Sequence, residues 1–414
     1  MPAFQPVRGT HDLLPDEHRK HRYVVDTARA VAERFGFAEM ATPIFEFTEV
    51  FARTMGETSD VVSKEMYSFI DKGGETITLR PEYTAGICRA FISNGLAQQI
   101  PLKVFGHGPM FRFERPQKGR QRQFHQIDIE VIGAPEPEAD IEVIAVAFEI
   151  LRSLGVSEHC TLELNSLGDG DSRVTYRKVL VDYFNDHRGK LSEDSLRRLD
   201  KNPLRILDSK DPGDRLVVAN APLLPDHFNE LSTEFFDSVC RGLQALGIPY
   251  AVNPRLVRGL DYYTHTAFEF VTTALGAQGA LIAGGRYDGL IEQLGGQPTA
   301  GIGWAGGIER LAMLAQGVPS LRRPVALVPM GAAAELAALP LAQELRRAGL
   351  AVELAYKGNV GKRMKRANKL NAVCAVLLGE NELQRRVAAV KNLDTGTQEE
   401  VALDRLAQRL LALD

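Results

Sequence analysis

The sequence predicts an α+β body built around an antiparallel hairpin, interrupted by a helical insertion and followed by a smaller α/β module. Three observations carry that prediction. Residues 105–133 contain two alternating apolar-polar segments flanking a basic loop. From 168 to about 225 the alternation gives way to charged helical runs. Beyond residue 323, short apolar strands alternate with helical periods, the pattern of a largely parallel α/β sheet.

In the hairpin, Met110, Arg112 and Glu114 alternate with Phe111 and Phe113, and Gln126, Asp128 and Glu130 alternate with Ile127, Ile129 and Val131. Successive strand side chains point to opposite faces, so each segment has one apolar and one polar face. The loop between them holds Arg115, Lys118, Arg120 and Arg122 and no acid. Pairing would gather Arg112, Glu114, Gln126 and Glu130 on one surface. That surface suits a small polar ligand beside a phosphate or nucleic acid; a sheet with one wet face explains the alternation equally well.

Length and composition set the outer bounds. A chain of 414 residues suggests two or three domains, and 44% apolar with 25% charged residues is ordinary for a globular protein. Cys88, Cys160, Cys240 and Cys374 are scattered without a C-x-x-C pair, which fits a reducing cytosol and neither a disulfide framework nor a metal site. No signal-like pattern opens the chain and no apolar run reaches membrane length, so a cytoplasmic protein with no membrane contact is expected. Residues 322–414 carry 15 Lys+Arg and 10 Asp+Glu, a net of +5 against −9 for the rest. A basic C-terminal module on an acidic body points to a polyanionic partner for that module.

In chain order, Arg8-Gly-Thr-His-Asp-Leu-Leu-Pro15 precedes a helix with Val24, Ala28, Val31 and Phe35 on one face, stopped by Gly36. Pro43 and the run Ile44–Phe47 read as a strand, residues 53–64 as a surface loop, and the stretch from Thr76 through Arg80 as a strand ending at Pro81. Pro81 then bends the chain, so Glu82 sits at a strand-to-helix corner as a helix cap or a ligand contact. After the hairpin come an amphipathic helix from Glu138 to Gly155, a strand at Thr161–Asn165, the insertion, a helix from Asn229 to Gly247 and a strand at 249–252.

Two later segments, Arg258-Gly-Leu-Asp-Tyr262-Tyr263-Thr and Ala283-Gly-Gly-Arg286-Tyr287-Asp-Gly, place Arg and Gly beside Tyr and Asp next to strands. Hydroxyls with a carboxylate and a guanidinium suit a small zwitterion. Gly301-Ile-Gly303-Trp-Ala-Gly306 matches the dinucleotide fingerprint in letters only. It lacks a βαβ context and an acid about 20 residues on. We read it as a glycine-lined strand that lets a flat ligand approach, leading into a helix near Gly307 that carries Glu309 and Arg310. Residues 317–323 resemble a linker, and Lys362, Lys365, Arg366 and Lys369 share one face of a helix beyond it, suited to nucleic acid.

These segments resemble the histidyl-tRNA synthetases, within the class II aminoacyl-tRNA synthetases, over essentially the whole chain. The helix-Pro-strand around Phe35–Phe47 is similar to motif 1, Phe105–Gly133 to motif 2 and Gly301–Leu311 to motif 3. RGLDYYTHTAFEF and AGGRYDGL resemble the two signatures peculiar to the histidine enzymes, and the opening RGTHDLLP agrees. The resemblance implies a class II catalytic domain over 1–320, α+β on an antiparallel sheet, with the insertion touching the acceptor stem. It implies an α/β anticodon-binding domain over 321–414 and a homodimer joined through motif 1.

The implied reaction is activation of L-histidine by ATP, with Mg²⁺ entering on the triphosphate and no metal resident on the protein, followed by transfer to the histidine tRNA. Arg112 and Arg258 would hold the α-phosphate and carboxylate, since guanidinium binds such groups bidentately and stays charged. Glu114, Arg120 and Arg310 would join Arg112 around ATP. Glu82, Thr84 and Gln126 would take the α-amino group, Glu130 and Tyr263 the imidazole, with Tyr262 and Tyr287 completing the pocket. Arg115 and Gln117 would approach the acceptor end, and the basic C-terminal helix the tRNA. Tyr83 stands where many relatives have glycine and is expected at the pocket rim. A regulatory subunit of ATP phosphoribosyltransferase, which shares the catalytic fold, is the alternative; the intact signatures and basic module weigh against it. A nucleotide-binding oxidoreductase is weaker still.

Overall fold

The computed structural model describes residues 4–55, 61–117, 119–257, 262–276 and 279–413. The chain divides into two compact units, Met1–Val318 and Pro319–Asp414.

The first unit opens with α1 (Pro15–Arg34), which buries Val24, Ala28 and Val31 as its period requires, while Phe35 lies just past its end. There follow β1 (Ala38–Glu39), β2 (Phe45–Phe47), α2 (Thr48–Met55), β3 (Tyr67–Ile70), β4 (Thr76–Leu79) and α3 (Thr84–Ser93). Part of the stretch predicted as a loop is helical: α2 runs through Met55, and 61–65 form a π-helical turn. Phe51 and Met55, four apart, are buried, which explains why the helix continues there. Then come β5 (Leu102–Phe111), β6 (Gln123–Ile132), α4 (Pro137–Ser153), β7 (Thr161–Ser166), α5 (Gly170–Asp186), α6 (Glu193–Lys201), α7 (Pro212–Val218) and α8 (Glu230–Ala245). The unit closes with β8 (Tyr250–Val252), β9 (Thr264–Thr272), β10 (Gly279–Arg286), α9 (Leu290–Gln293), β11 (Gly301–Gly307) and α10 (Ile308–Leu314).

Eight strands form one sheet in the order β1-β5-β6-β11-β10-β9-β7-β8. Its six central strands are antiparallel; only the edge pairs β1–β5 and β7–β8 are parallel. Those edges join strands separated by long helical excursions, which parallel pairing needs. Ile127, Ile129 and Val131 point into a core with α1, α4 and α10, while Gln126, Asp128 and Glu130 line the other face. The hairpin is shorter than its alternation predicts. Arg112 N–H donates to Arg122 O at 2.9 Å, but the next amide, of Phe113, donates to Glu65 O at 2.7 Å. That bond draws the chain out of the ladder, so Arg112 and Glu114 lie on the loop. The glycine-rich β11 sits between β6 and β10 without a parallel crossover, which excludes a dinucleotide fold there.

A second, three-stranded sheet in the order β2-β4-β3 turns Glu46 and Thr78 inward, while Ser68 at the end of the same row is exposed. Glu46 opposes Thr78, which opposes Ser68. Glu46 accepts from Arg89 Nε at 3.1 Å and Thr78 is buried. The outward rows are Phe45-Leu79-Tyr67 and Phe47-Ile77-Phe69. The insertion buries Tyr176, Leu180, Phe184, Ile206 and Val217 in the same apolar cluster as Phe51, Tyr83 and Tyr262 of the body.

The second unit comprises β12 (Val325–Pro329), α11 (Ala332–Arg347), β13 (Val352–Leu354), α12 (Val360–Lys369), β14 (Cys374–Leu378), α13 (Glu380–Gln384), β15 (Val387–Asn392), β16 (Gln398–Ala402) and α14 (Leu406–Leu411). The sheet order is β13-β12-β14-β15-β16. The first three strands are parallel, as the alternation predicts; the closing part is an antiparallel hairpin rather than a single strand. Asn392 turns it, its side-chain oxygen accepting from the amides of Asp394 and Thr395 at 2.9 and 3.0 Å. Among the described residues, no helix is long and apolar enough to cross a membrane.

Candidate active site

A cavity of about 320 Å³ opens on the polar face of the large sheet. Its wall includes Glu82, Thr84, Arg112, Glu114, Arg120, Gln126, Tyr262, Tyr263 and Arg310, nine of the residues singled out in the sequence.

One end is cationic. Arg310, in the first turn of α10, donates from Nη1 to Ala280 O at 2.7 Å. Burial and the neighbouring Arg120 lower its pKa, with Glu114 opposing them. Arg120 lies 3.4 Å from Glu114. Two guanidiniums facing each other over a cavity are relieved by a bound anion.

The other end is polar and aromatic. Glu82 accepts from the amides of Thr84 at 2.7 Å and Ala85 at 2.9 Å, capping α3, and it lines the cavity. Burial raises its pKa against those bonds. Gln126 presents Oε1 with no hydrogen-bond partner among the described residues, an acceptor awaiting a donor. The Tyr262 ring lies 4.6 Å from that of Tyr263, tilted by 46°, and meets Tyr287 edge-on at 6.0 Å.

Arg112 belongs to both ends. Its Nε donates to Pro81 O at 2.8 Å, next to the capping Glu82, and its guanidinium lies 5.2 Å from the Phe124 ring centre. Its Nη1 stands 3.9 Å from Glu114.

Glu130 and Tyr287, expected as ligand contacts, lie beneath this wall rather than on it. Tyr287 Oη donates to Glu130 Oε2 at 2.5 Å, and Thr84 Oγ1 donates to Oε1 at 2.5 Å. Burial raises Glu130 to about 8 against the pull of these two bonds, with Glu82 adding to the rise. Gly301 and Gly303 of β11 make room for this layer, whereas Gly307, at the end of the strand, lines the cavity with open space beside it. A Cβ at Gly303 would stand 1.7 Å from Glu130 Oε2, and one at Gly301 2.1 Å from the Tyr287 ring. Asp128, on the same row, is fully buried with neither oxygen hydrogen-bonded among the described residues, and burial raises its pKa well above the usual range, with Glu130 and Glu82 adding.

Two further expectations are corrected. Tyr83 is not at the rim: its hydroxyl donates to Met40 O at 3.1 Å, accepts from Thr42 N–H at 3.3 Å, and its ring lies under Arg80 at 4.4 Å. Arg286 is not a ligand group: it is fully buried and donates to Asp140, Ala134 O and Glu136 O. Arg258 lies outside the described residues. Arg115 and Gln117 are exposed on the hairpin loop, and Lys362, Lys365, Arg366 and Lys369 are exposed on α12. Arg366 is already paired with Glu353 at 2.6 Å, so the three lysines carry the open charge of that face.

Sequence reasoning missed Phe124 and Glu269 on the cavity wall and named Glu309 without giving it a role. Glu269 stands alone between Phe268 and Phe270, a strand alternation that reads as nothing more. Glu309 accepts from His125 N–H and His125 Nδ1, both at 2.9 Å, fixing α10 to the start of β6. With His21 these two residues bring metal-ligand atoms within 4.8 Å of one another, a cluster the scattered spacing hides. The direct His125–Glu309 bonding satisfies that pair without an ion.

The profile described as Histidyl-tRNA synthetase matches residues 9–168 and 204–311, and that described as Anticodon binding domain matches 324–413. The histidine–tRNA ligase of Rhodospirillum rubrum is 61% identical over 99% of this chain and 99% of its own length. That of Gluconacetobacter diazotrophicus is 56% identical over the full length of both. Among solved structures, the apo histidyl-tRNA synthetase of S. aureus superposes with a TM-score of 0.84 at 37% identity, covering 98% of this chain and 99% of that one. A Bacillus halodurans chain described as ATP phosphoribosyltransferase regulatory subunit/histidyl-tRNA synthetase shares the fold at a TM-score of 0.66 and 22% identity. A cavity with a cationic end, a polar-aromatic end and one arginine between them thus sits in a chain that matches one family along nearly its whole length, and the chain belongs to the histidyl-tRNA synthetases.

Proposed function

We propose that the cavity binds L-histidine at its polar-aromatic end and ATP at its cationic end, so that the two meet at Arg112. The protein is a histidine–tRNA ligase. It activates histidine with ATP to histidyl-adenylate and pyrophosphate, then transfers histidine to the 3′ end of its tRNA. The observation that carries the site reading is the place of Arg112, in contact with Glu114 of the cationic end and bonded beside Glu82 of the other.

The chemistry follows from charge. A histidine carboxylate oxygen attacks the α-phosphorus and pyrophosphate leaves, although nucleophile and target are both anions. A fixed guanidinium bonding both lowers that repulsion and stabilises the charge developing in flight. Arg258 joins Arg112 in this reading; Arg310 and Arg120 hold the outer phosphates. Glu114 and Glu269 put carboxylate oxygens on the wall, the donor type Mg²⁺ takes when it enters with the triphosphate. The ammonium donates to Gln126 Oε1, Thr84 and Glu82, and Tyr263 reaches the imidazole. Glu130 and Tyr287 act through Thr84, holding its hydroxyl in place. A hydroxyl that bonds a ring nitrogen is left unpaired by side chains that lack one, and a site built on such a bond rejects them by roughly 10⁴ or more.

Arg115, Gln117 and α12 are the tRNA contacts of this reading, and the setting is cytoplasmic. The outward rows of the three-stranded sheet are its dimer face. Phe45, Phe47 and Phe69 are 51%, 54% and 48% exposed, while the polar Glu46 and Thr78 are turned inward. That inversion suits a second copy of the chain as the cover.

Amino-acid-dependent ATP–pyrophosphate exchange tests the proposal, each amino acid being offered separately. Exchange is expected with histidine alone. Arg112→Ala is expected to lower it by about a hundredfold or more in kcat with the fold intact. Wild-type-like exchange in that variant would remove Arg112 from the centre.

A further inference from the structure

The segment on either side of residues 258–261 is pinned at both flanks, and most of the pins come from the helical insertion or its root. On the early flank, Arg255 Nη2 donates to Ala219 O at 2.7 Å and to Ala221 O at 3.3 Å, at the end of the insertion. Beside it, Asn165 Nδ2, buried on β7, donates to Leu256 O at 2.9 Å. On the late flank, Arg173 Nη1, from the first turns of α5, donates to the backbone carbonyl of Tyr263 at 2.9 Å. Two residues on, His265 N–H donates to Gly168 O at 2.9 Å and His265 O accepts from Leu167 N–H at 2.6 Å. His265 holds φ +39, a left-handed conformation that a residue with a Cβ keeps only when its surroundings impose it. Those two bonds, and a stack on Phe235 at 4.5 Å, impose it.

The insertion helix that supplies Arg173 is itself anchored. Asp169 caps α5 by accepting from Ser172 N–H at 2.8 Å, and its other oxygen accepts from Asn229 Nδ2 at 2.8 Å. Asn229 in turn caps α8. The first turns of α5 and α8 are thereby locked together. A shift of α5 moves the Tyr263 carbonyl, and with it the ring that forms the cavity wall.

We infer that the insertion is the scaffold of the amino-acid pocket, with Arg173 and Arg255 as positioning residues that set Tyr262 and Tyr263 through the backbone on either flank. The inference rests on the reading of Tyr263 as a histidine contact. Neither arginine lines the cavity, so both act through the placement of others.

The test is pyrophosphate exchange on the full chain, with KM for histidine and for ATP measured separately. Arg173→Ala is expected to raise the histidine KM by about ten-fold or more, since small misplacements of a site cost that much. The ATP KM should stay within about two-fold and the thermal midpoint within a few degrees, because uniform loosening would move both substrates. Arg173→Lys, which keeps one donor, is expected to restore most of the histidine KM. Arg255→Ala tests the other flank independently and should show the same selectivity for histidine. Tyr263→Phe, assayed in parallel, tests the pocket assignment: an unchanged histidine KM there removes Tyr263 from the site. If Tyr263→Phe weakens histidine while both arginine variants leave its KM unchanged, or raise both KM values together as the midpoint falls, the inference is overturned.

Discussion

Glu130 is a carboxyl group held at a pKa near neutrality by its position. It lies behind Thr84 and accepts hydroxyls on both oxygens, yet burial leaves its pKa at about 8. The folded chain therefore retains a proton that the unfolded chain has lost over the interval from 4.5 to about 8. Stability tied to this group is fully present below the lower value and falls as pH rises through that interval. We predict that chemical denaturation of the ligand-free protein shows this fall and that Glu130→Gln flattens it. Histidine brings an ammonium close to Thr84 and Gln126, which favours the ionised carboxylate, so binding near pH 7 should release protons. Calorimetry in two buffers of different ionisation enthalpy reads that release. Equal release by wild type and Glu130→Gln would show that the proton comes from elsewhere.

Single elements show how a signature residue can serve the fold rather than the ligand. Arg286, in the second of the two Tyr-Asp segments, runs beneath the sheet to the first turn of α4. Its Nε donates to Asp140 Oδ2 at 3.1 Å, and both side chains are fully buried. Without Asp140 the buried guanidinium keeps one carboxylate partner, the partly exposed Asp288 at 3.1 Å, so Asp140→Ala should destabilise the chain by up to about 3 kcal/mol. A denaturant midpoint near wild type would contradict that. The period-2 hairpin, the glycine-rich strand and the basic helix were legible because each is a local pattern. The role of Arg286 was not, because Asp140 is 146 residues away, and Tyr83 was misread because its partners Met40 and Thr42 precede it by more than forty. The glycines of β11 were recognised as a close approach, but the approaching groups, Glu130 and Tyr287, come from other strands. Sequence periodicity says which face a side chain takes; what it meets there is decided by sheet order.

At the scale of the whole molecule, two surfaces reach beyond the cavity, and they call for opposite chemistry. If the aromatic rows of the β2-β4-β3 sheet are the proposed dimer face, wild type should sediment as a dimer and Phe47→Glu with Phe69→Glu as a monomer. An unshifted mass would move the dimer face elsewhere. The α12 face needs a polyanion. Lys362, Lys365 and Lys369 are exposed there, and the neighbouring Arg363 is buried and bonded to Glu335, so it stiffens the helix rather than adding to the face. Each lysine that neutralises a phosphate releases a condensed counterion, so tRNA affinity should fall steeply with salt. Replacing all three by alanine should weaken tRNA binding and reduce the slope of log K against log salt by about 2. Pyrophosphate exchange needs no tRNA and uses only the cavity of the first unit, so it should be unaffected in the same variant. A triple variant that binds tRNA with the wild-type slope would take α12 out of the nucleic-acid surface, whereas a loss of exchange would mean that the two units are coupled in the chemistry itself.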